Sequence, residues 1–258
     1  MNNSGGKFIF VVVLVVVGFT SYLRTSNRAA TERLEQSAKQ LQQKAQALMQ
    51  RQLAGEEVGD EHEKLFNEFI VEAEKAGNEA HGSDAKALKA IVVTMRDLQG
   101  PMKSYNSTLA ALMAAGGSDP AGLKTIADIE ARLGLVEKFR EGNEELDGVF
   151  KSLPDRLQVN LKAAGISDSE IFQAVTGLRS TAKLDTISKI RQTDRELVTA
   201  MRGQFDLLKS EFGKWKLLDG GAVEFQNPAA GAKFDKLYHD IQSAADRQEK
   251  LQRGAMGQ

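Results

Sequence analysis

Residues 184–212, LDTISKIRQTDRELVTAMRGQFDLLKSEF, decide the fold. Leu184, Ile187, Ile190, Leu197, Met201, Phe205, Leu208 and Phe212 recur at spacings near three and four, the period of one helical face. The stretch therefore predicts the longest helix of the chain. A second long amphipathic pattern precedes it. From Ala121 to about Phe150, Leu123, Ile126, Ile129, Leu133, Val136, Phe139, Leu146 and Phe150 keep the same period, and Asp119-Pro120 offers a cap followed by proline in the first turn. Together the two patterns predict the spine of a helical bundle.

Shorter helices fill the space around them. Gly55 to Asp60 reads as a loop, with Asp60 and Glu63 as a capping pair for a helix carrying Leu65, Phe66, Phe69, Ile70 and Ala73. A break is expected between Gly77 and Gly82, then a helix capped by Ser83 or Asp84 with Leu88, Ile91, Val92, Met95 and Leu98 on one face. Gly100-Pro101 is expected to stop it, and a fourth segment runs from Met102 to Ala115, ending at Gly116-Gly117. A short helix around Leu157 and Leu161 ends at Gly165, and Ser167 with Glu170 forms a capping box before Ile171, Phe172 and Val175.

After Phe212 the period changes. Lys214-Trp-Lys-Leu-Leu218, Asp219-Gly220-Gly221 and Ala222-Val-Glu-Phe225 alternate about a turn triplet. This predicts a β-hairpin at about 214–225 with Trp215, Leu217, Val223 and Phe225 facing inward. Asn227-Pro228 then caps a last helix bearing Phe234, Leu237, Tyr238, Ile241 and Leu251, before a flexible tail at 253–258. This ending, a Trp-x-Leu strand, a glycine turn, Val-Glu-Phe-Gln-Asn and a helix with Phe234, Leu237 and Tyr238, resembles the close of an uncharacterised family of helical bacterial envelope lipoproteins. The resemblance covers roughly the last 45 residues and carries no catalytic motif. It implies an envelope location and no chemistry. The chain lacks the lipid-bearing cysteine of that family.

In the other direction lies a heptad. Leu34, Leu41 and Leu48 repeat every seven residues, with Ala38 and Ala45 among the alternate core positions. Residues 24–54 are expected to form an amphipathic stalk helix, either the first helix of the bundle or a short intermolecular coiled coil. Before it comes FIFVVVLVVVGFTSYL, residues 8–23, without a charge and fenced by Lys7 and Arg24. Phe8, Val13, Val17, Phe19 and Leu23 mark its length. At 1.5 Å per residue this is about 24 Å of helix, sufficient for a single membrane span when Lys7 and Arg24 snorkel to the headgroups. A cleavable signal peptide is the competing reading. Its h-region would suit, but Gly18-Phe19-Thr20 makes a poor cleavage site.

Arg24, Arg28, Arg33 and Lys39 against Lys7 favour a cytoplasmic body by the positive-inside rule. Residues 1–7 followed by an anchor and a long carboxyl-terminal domain is instead the layout of a signal anchor with an exported body. The expectation adopted is the bacterial inner membrane with residues 55–252 as a periplasmic bundle; the opposite orientation stays open.

Composition narrows the chemistry. The chain is 41% hydrophobic but only 6% aromatic, which suits helices packed through small side chains. Thirty-four Lys and Arg against 35 Asp and Glu leave a net charge of −1, so no global field attracts nucleic acid. Gln158 to Val175 imitates a helix-turn-helix, but its second helix opens Asp168-Ser-Glu170 and has no basic residue before Arg179. Two consecutive helices across a capped turn are expected instead. No cysteine is present, which excludes disulfides and thiolate metal sites. His62, His81 and His239 lack the Glu-x-x-His spacing of a di-iron bundle. No metal site, cofactor or catalytic motif is therefore assigned. Met95, Met102, Met113 and Met201 read as core filler.

The sequence thus predicts a mainly α, membrane-anchored, elongated helical bundle with a stalk helix and one small hairpin. The function expected is a non-enzymatic structural or protein-interaction module, acting on a partner or on itself through amphipathic helices. The alternatives are a ligand-sensing bundle coupled to a membrane partner and an enzyme whose site is assembled from distant residues.

Overall fold

The computed structural model describes residues 61–219 and 221–255, with scattered helical positions between 36 and 51 and Glu56. The fold is mainly helical, with one small antiparallel sheet near the carboxyl end. In chain order it runs α1 (Glu61–Glu79), α2 (Gly82–Ala114), α3 (Ile126–Ala163), α4 (Asp168–Thr181), α5 (Leu184–Ser210), β1 (Trp215–Leu217), β2 (Val223–Phe225) and α6 (Pro228–Ala255). Two compact units divide the chain. One takes the residues up to Lys103 together with Leu146–Ser188; the other takes Ser104–Glu145 and the residues from Lys189 onward.

Several boundaries differ from the sequence reading. Gly100-Pro101 does not end a helix: α2 runs through it for 33 residues. Pro101 removes the bond to the carbonyl of Asp97, but Asp97 is exposed, so water can satisfy that group. Leu98 and Tyr105, both fully buried, and Met102 keep the helix packed on either side of the proline. Likewise α3 passes through Pro154 and joins the expected helix ending near Phe150 to the one around Leu157 and Leu161. Its start is Ile126 rather than Ala121. Thr125 and Asp128 form the cap: the Thr125 N–H donates to Asp128 Oδ2 at 2.7 Å, and the Asp128 N–H to Thr125 Oγ1 at 3.2 Å. Asp119 closes a turn instead, accepting from the Ala121 N–H at 2.8 Å.

α1 continues past Gly77 to Glu79 because that glycine is where the helix meets Leu88 of α2; a Cβ there would lie 3.3 Å from the Leu88 Cβ. α2 begins at Gly82, and the Ser83 hydroxyl donates to Glu170 Oε1 at 2.8 Å rather than capping it. The Ser167–Glu170 capping box forms as read. Phe172, however, lies 72% exposed rather than on the buried face of α4. Gly116 and Gly165 end α2 and α3 in left-handed conformation, φ +102 and +73.

In the second unit the loop after α2 is held by Arg132, whose Nη1 donates to the Gly117 carbonyl at 2.8 Å. The guanidinium sits 5.7 Å from the Phe205 ring centroid. The expected hairpin forms, pairing Trp215 with Phe225, Lys216 with Glu224 and Leu217 with Val223. Trp215, Val223 and Phe225 are half-buried, Phe225 lying against Phe234 of α6 at 5.4 Å between centroids. Leu217 departs from the expectation and is 42% exposed. Asn227 caps α6 through the Ala229 N–H at 3.0 Å, and α6 extends to Ala255, past the boundary placed at residue 252.

Candidate functional site

Two arrangements stand out, one sealed and one open. The sealed one is a polar layer in the second unit, to which four helices each contribute. Tyr105 comes from α2, Asn143 from α3, Arg191 and Asp194 from α5 and Gln248 from α6; none is more than 2% exposed. The Asp194 carboxylate is the hub. Tyr105 donates its phenol to Oδ2 at 3.1 Å, and Gln248 donates its amide to Oδ1 at 2.6 Å. Arg191 Nη2 lies 3.3 Å from Oδ2, and its guanidinium stacks 4.5 Å from the Tyr105 ring centroid. Asn143 Nδ2 donates to the Arg191 carbonyl at 3.1 Å.

Burial dominates the electrostatics of this layer. It pushes the Asp194 carboxyl up, against the pull of Arg191, Tyr105 and Gln248 in the other direction. It likewise raises the Tyr105 phenol well above its ordinary range. Titratable groups perturbed by burial are a common sign of catalysis. Here no member of the layer is open to solvent, and its bonds tie the turns of four helices to one another, as a buried polar network that favours one alignment does.

The open arrangement belongs to the first unit. Along the seam of α1 and α2, Gln99 donates to Asn67 at 2.7 Å and Arg96 pairs with Glu74. Along the seam of α2 and α3, Arg156 pairs with Asp97 at 3.2 Å and Asn160 donates to Thr94 at 2.9 Å. These bonds fix which turns lie level. Val71 falls four residues after Asn67 and three before Glu74, Val93 three before Arg96, and Val159 three after Arg156. Each valine therefore shares a helix face with a pair that stitches the solvent side of its seam. The three lie level to within about one helical turn, roughly 5 Å. Their exposures are 45%, 50% and 65%.

An open groove of about 320 Å³ beside Leu48 and Leu65 is less informative. Its charged rim is consumed in ion pairs, Lys44 with Glu68 at 2.8 Å and Arg51 with Glu61 at 3.0 Å.

The residues singled out by sequence fare as follows. Phe8, Val13, Val17, Phe19 and Leu23 lie outside the described residues, as do Leu34, Ala38 and Ala45. Leu41 and Leu48 are helical and buried. Among the described residues no helix is long and apolar enough to cross a membrane, and no cluster of potential metal ligands occurs. The polar layer was missed. Its signal was the seven-residue gap between Ile190 and Leu197 in the α5 pattern, which Arg191 and Asp194 fill at core spacing. No family model, curated protein or solved structure matches the chain.

Proposed function

We propose that this chain is a membrane-anchored, non-enzymatic interaction protein of the bacterial envelope that holds a protein partner on the outer face of α1, α2 and α3. The level row of Val71, Val93 and Val159 carries the reading. Single exposed valines are ordinary, but three at one level on neighbouring helices, framed by the Arg96–Glu74 and Arg156–Asp97 pairs, offer apolar contacts within a polar surround, as docking surfaces do. The anchor rests on residues 8–23, whose uncharged run fits a single span. The envelope location rests on that anchor and on the resemblance of the last helix and hairpin.

Photo-crosslinking in cells tests it. A benzophenone side chain at Val93 or Val159 should give a discrete protein adduct, while the exposed Thr176 of α4 should give none. Adducts to lipid alone, or equal labelling at all three positions, would sink the proposal. Alkaline phosphatase fused to the carboxyl terminus should be active in the membrane fraction; activity only in soluble extract would remove the anchor.

A further inference from the structure

The valine row has a charged margin. Lys89 lies four residues before Val93 and Lys86 three before that, so both share the outward stripe of α2 with it. Lys162 lies three residues after Val159 on the corresponding face of α3. All three lysines are exposed, and none makes an ion pair among the described residues, unlike Lys75, Arg96 and Arg156 on the neighbouring turns. The face thus carries exposed valines framed by ion pairs at its centre and, at one end, lysines without an ion pair among the described residues.

The second unit bears a surface of opposite character. On α6, Asp235, Tyr238, Gln242, Asp246 and Glu249 follow one another at helical spacing along a flank beside the face that buries Phe234, Ile241, Ala244 and Gln248. Tyr238 is 46% exposed. Asp235 and Asp246 are exposed and take no ion pair among the described residues, whereas Glu249 is held by Arg253 at 2.7 Å. This stripe offers an aromatic ring between two free carboxylates about 16 Å apart along the helix.

We propose that the α6 stripe of one copy docks on the valine and lysine face of another. The proposal rests on the interaction reading above and names the partner. Tyr238 supplies an amphipathic anchor of the kind that dominates interfaces, and the valines give it an apolar bed. Asp235 and Asp246 meet Lys86, Lys89 and Lys162, so each copy neutralises charge that the other leaves unpaired. A bilayer is a poorer match, because the face has no Trp, Phe or Leu at its centre to enter an interface. Since the two docking surfaces differ, the contact is heterologous and repeats from copy to copy as a ring or a filament.

The absence of cysteine lets one be appended at the carboxyl terminus for clean labelling. Full-length chains carrying donor or acceptor dyes, in non-ionic detergent, should show energy transfer between copies that declines as salt rises. Lys86→Glu, Lys89→Glu and Lys162→Glu together should weaken association at least tenfold, and so should Asp235→Lys with Asp246→Lys. Mixing the two variants, or combining all five changes in one chain, should restore it to within about threefold. Unchanged melting curves exclude misfolding as the cause. Wild-type chains that never transfer energy, a lysine variant that associates normally, or a failed restoration would each overturn the proposal. So would a lysine variant that loses only its binding to anionic phospholipid vesicles. A crosslink from Val93 to a different protein would also overturn this pairing while leaving the interaction reading intact.

Discussion

The two units use polar side chains in opposite ways. In the first, the pairs Glu74 with Arg96, Asn67 with Gln99 and Asp97 with Arg156 decorate the solvent side of the seams, and Phe66, Phe69, Met95 and Leu98 fill the interior. In the second, a carboxylate, a guanidinium, a phenol and two amides sit inside, and the surface of α6 carries the unpaired acids. Apolar cores forgive small slips between helices, whereas a buried charge does not. The buried network of the second unit thus opposes a shift of register, while the first unit relies on its apolar interior and on pairs at its surface.

The sharpest way to break this contrast is to remove one half of the buried ion pair. Arg191→Met leaves the Asp194 carboxylate without its countercharge and should cost about 3–5 kcal/mol, read as a shift of the denaturant midpoint. Adding Asp194→Leu should recover only part of that loss, because it removes the unpaired buried charge but leaves the Tyr105 phenol and the Gln248 amide buried without their acceptor. If the double variant stays as unstable as the single one, the layer is not organised around this pair.

How far such a layer can be read from sequence depends on what periodicity detects. The hairpin was legible because turn chemistry and a period of two agree, and the capping box because Ser167 and Glu170 act within four residues. The breaks expected at Gly100-Pro101 and near Pro154 were wrong for one reason: local propensity was outweighed by Leu98, Tyr105, Leu153 and Leu157, fully buried on either side of the prolines. Arg191 and Asp194 were hidden because charged residues default to solvent, although Ile187, Ile190, Val198 and Met201 place both on the buried stripe of α5. The valine row was invisible for another reason. Val71, Val93 and Val159 come to one level only when the pairing of three helices sets it.

Smaller changes sharpen the comparison within the second unit. Tyr105→Phe removes one hydrogen bond to a buried carboxylate and should cost about 1.5–3 kcal/mol. Gly142→Ala should cost about 1 kcal/mol net: its Cβ would stand 3.2 Å from the Tyr105 Cα and 3.1 Å from Thr108 Oγ1. Main chain cannot retreat as a flexible side chain would, so the clash of about 1–3 kcal/mol outweighs the roughly 1 kcal/mol gained in helix propensity. A stabilised Gly142→Ala protein would show that α2 and α3 are not closely packed at Tyr105.

In the first unit the local signals are at the surface, and their effects should be correspondingly modest. Ser167→Ala should cost about 1 kcal/mol through the lost cap of α4. The Glu170 partner gives a pH signature. Hydrogen bonds from the Ser167 and Ser83 hydroxyls hold its carboxyl below the ordinary range, so the unfolded chain binds this proton more readily than the native one. Stability from Glu170 is then present above the unfolded pKa and fades as pH falls through the folded one. Melting curves of wild type and Glu170→Gln should differ at neutral pH and converge in acid.

Least affected of all should be Val93→Ser. The side chain is half exposed and its loss opens no cavity, so stability should stay within about 0.5 kcal/mol of wild type. Under the proposed docking its consequence should appear in association instead. A large loss of stability would mean that Val93 belongs to the core of the first unit, and the contrast between an outward-facing apolar row and an inward-facing polar layer would fall with it.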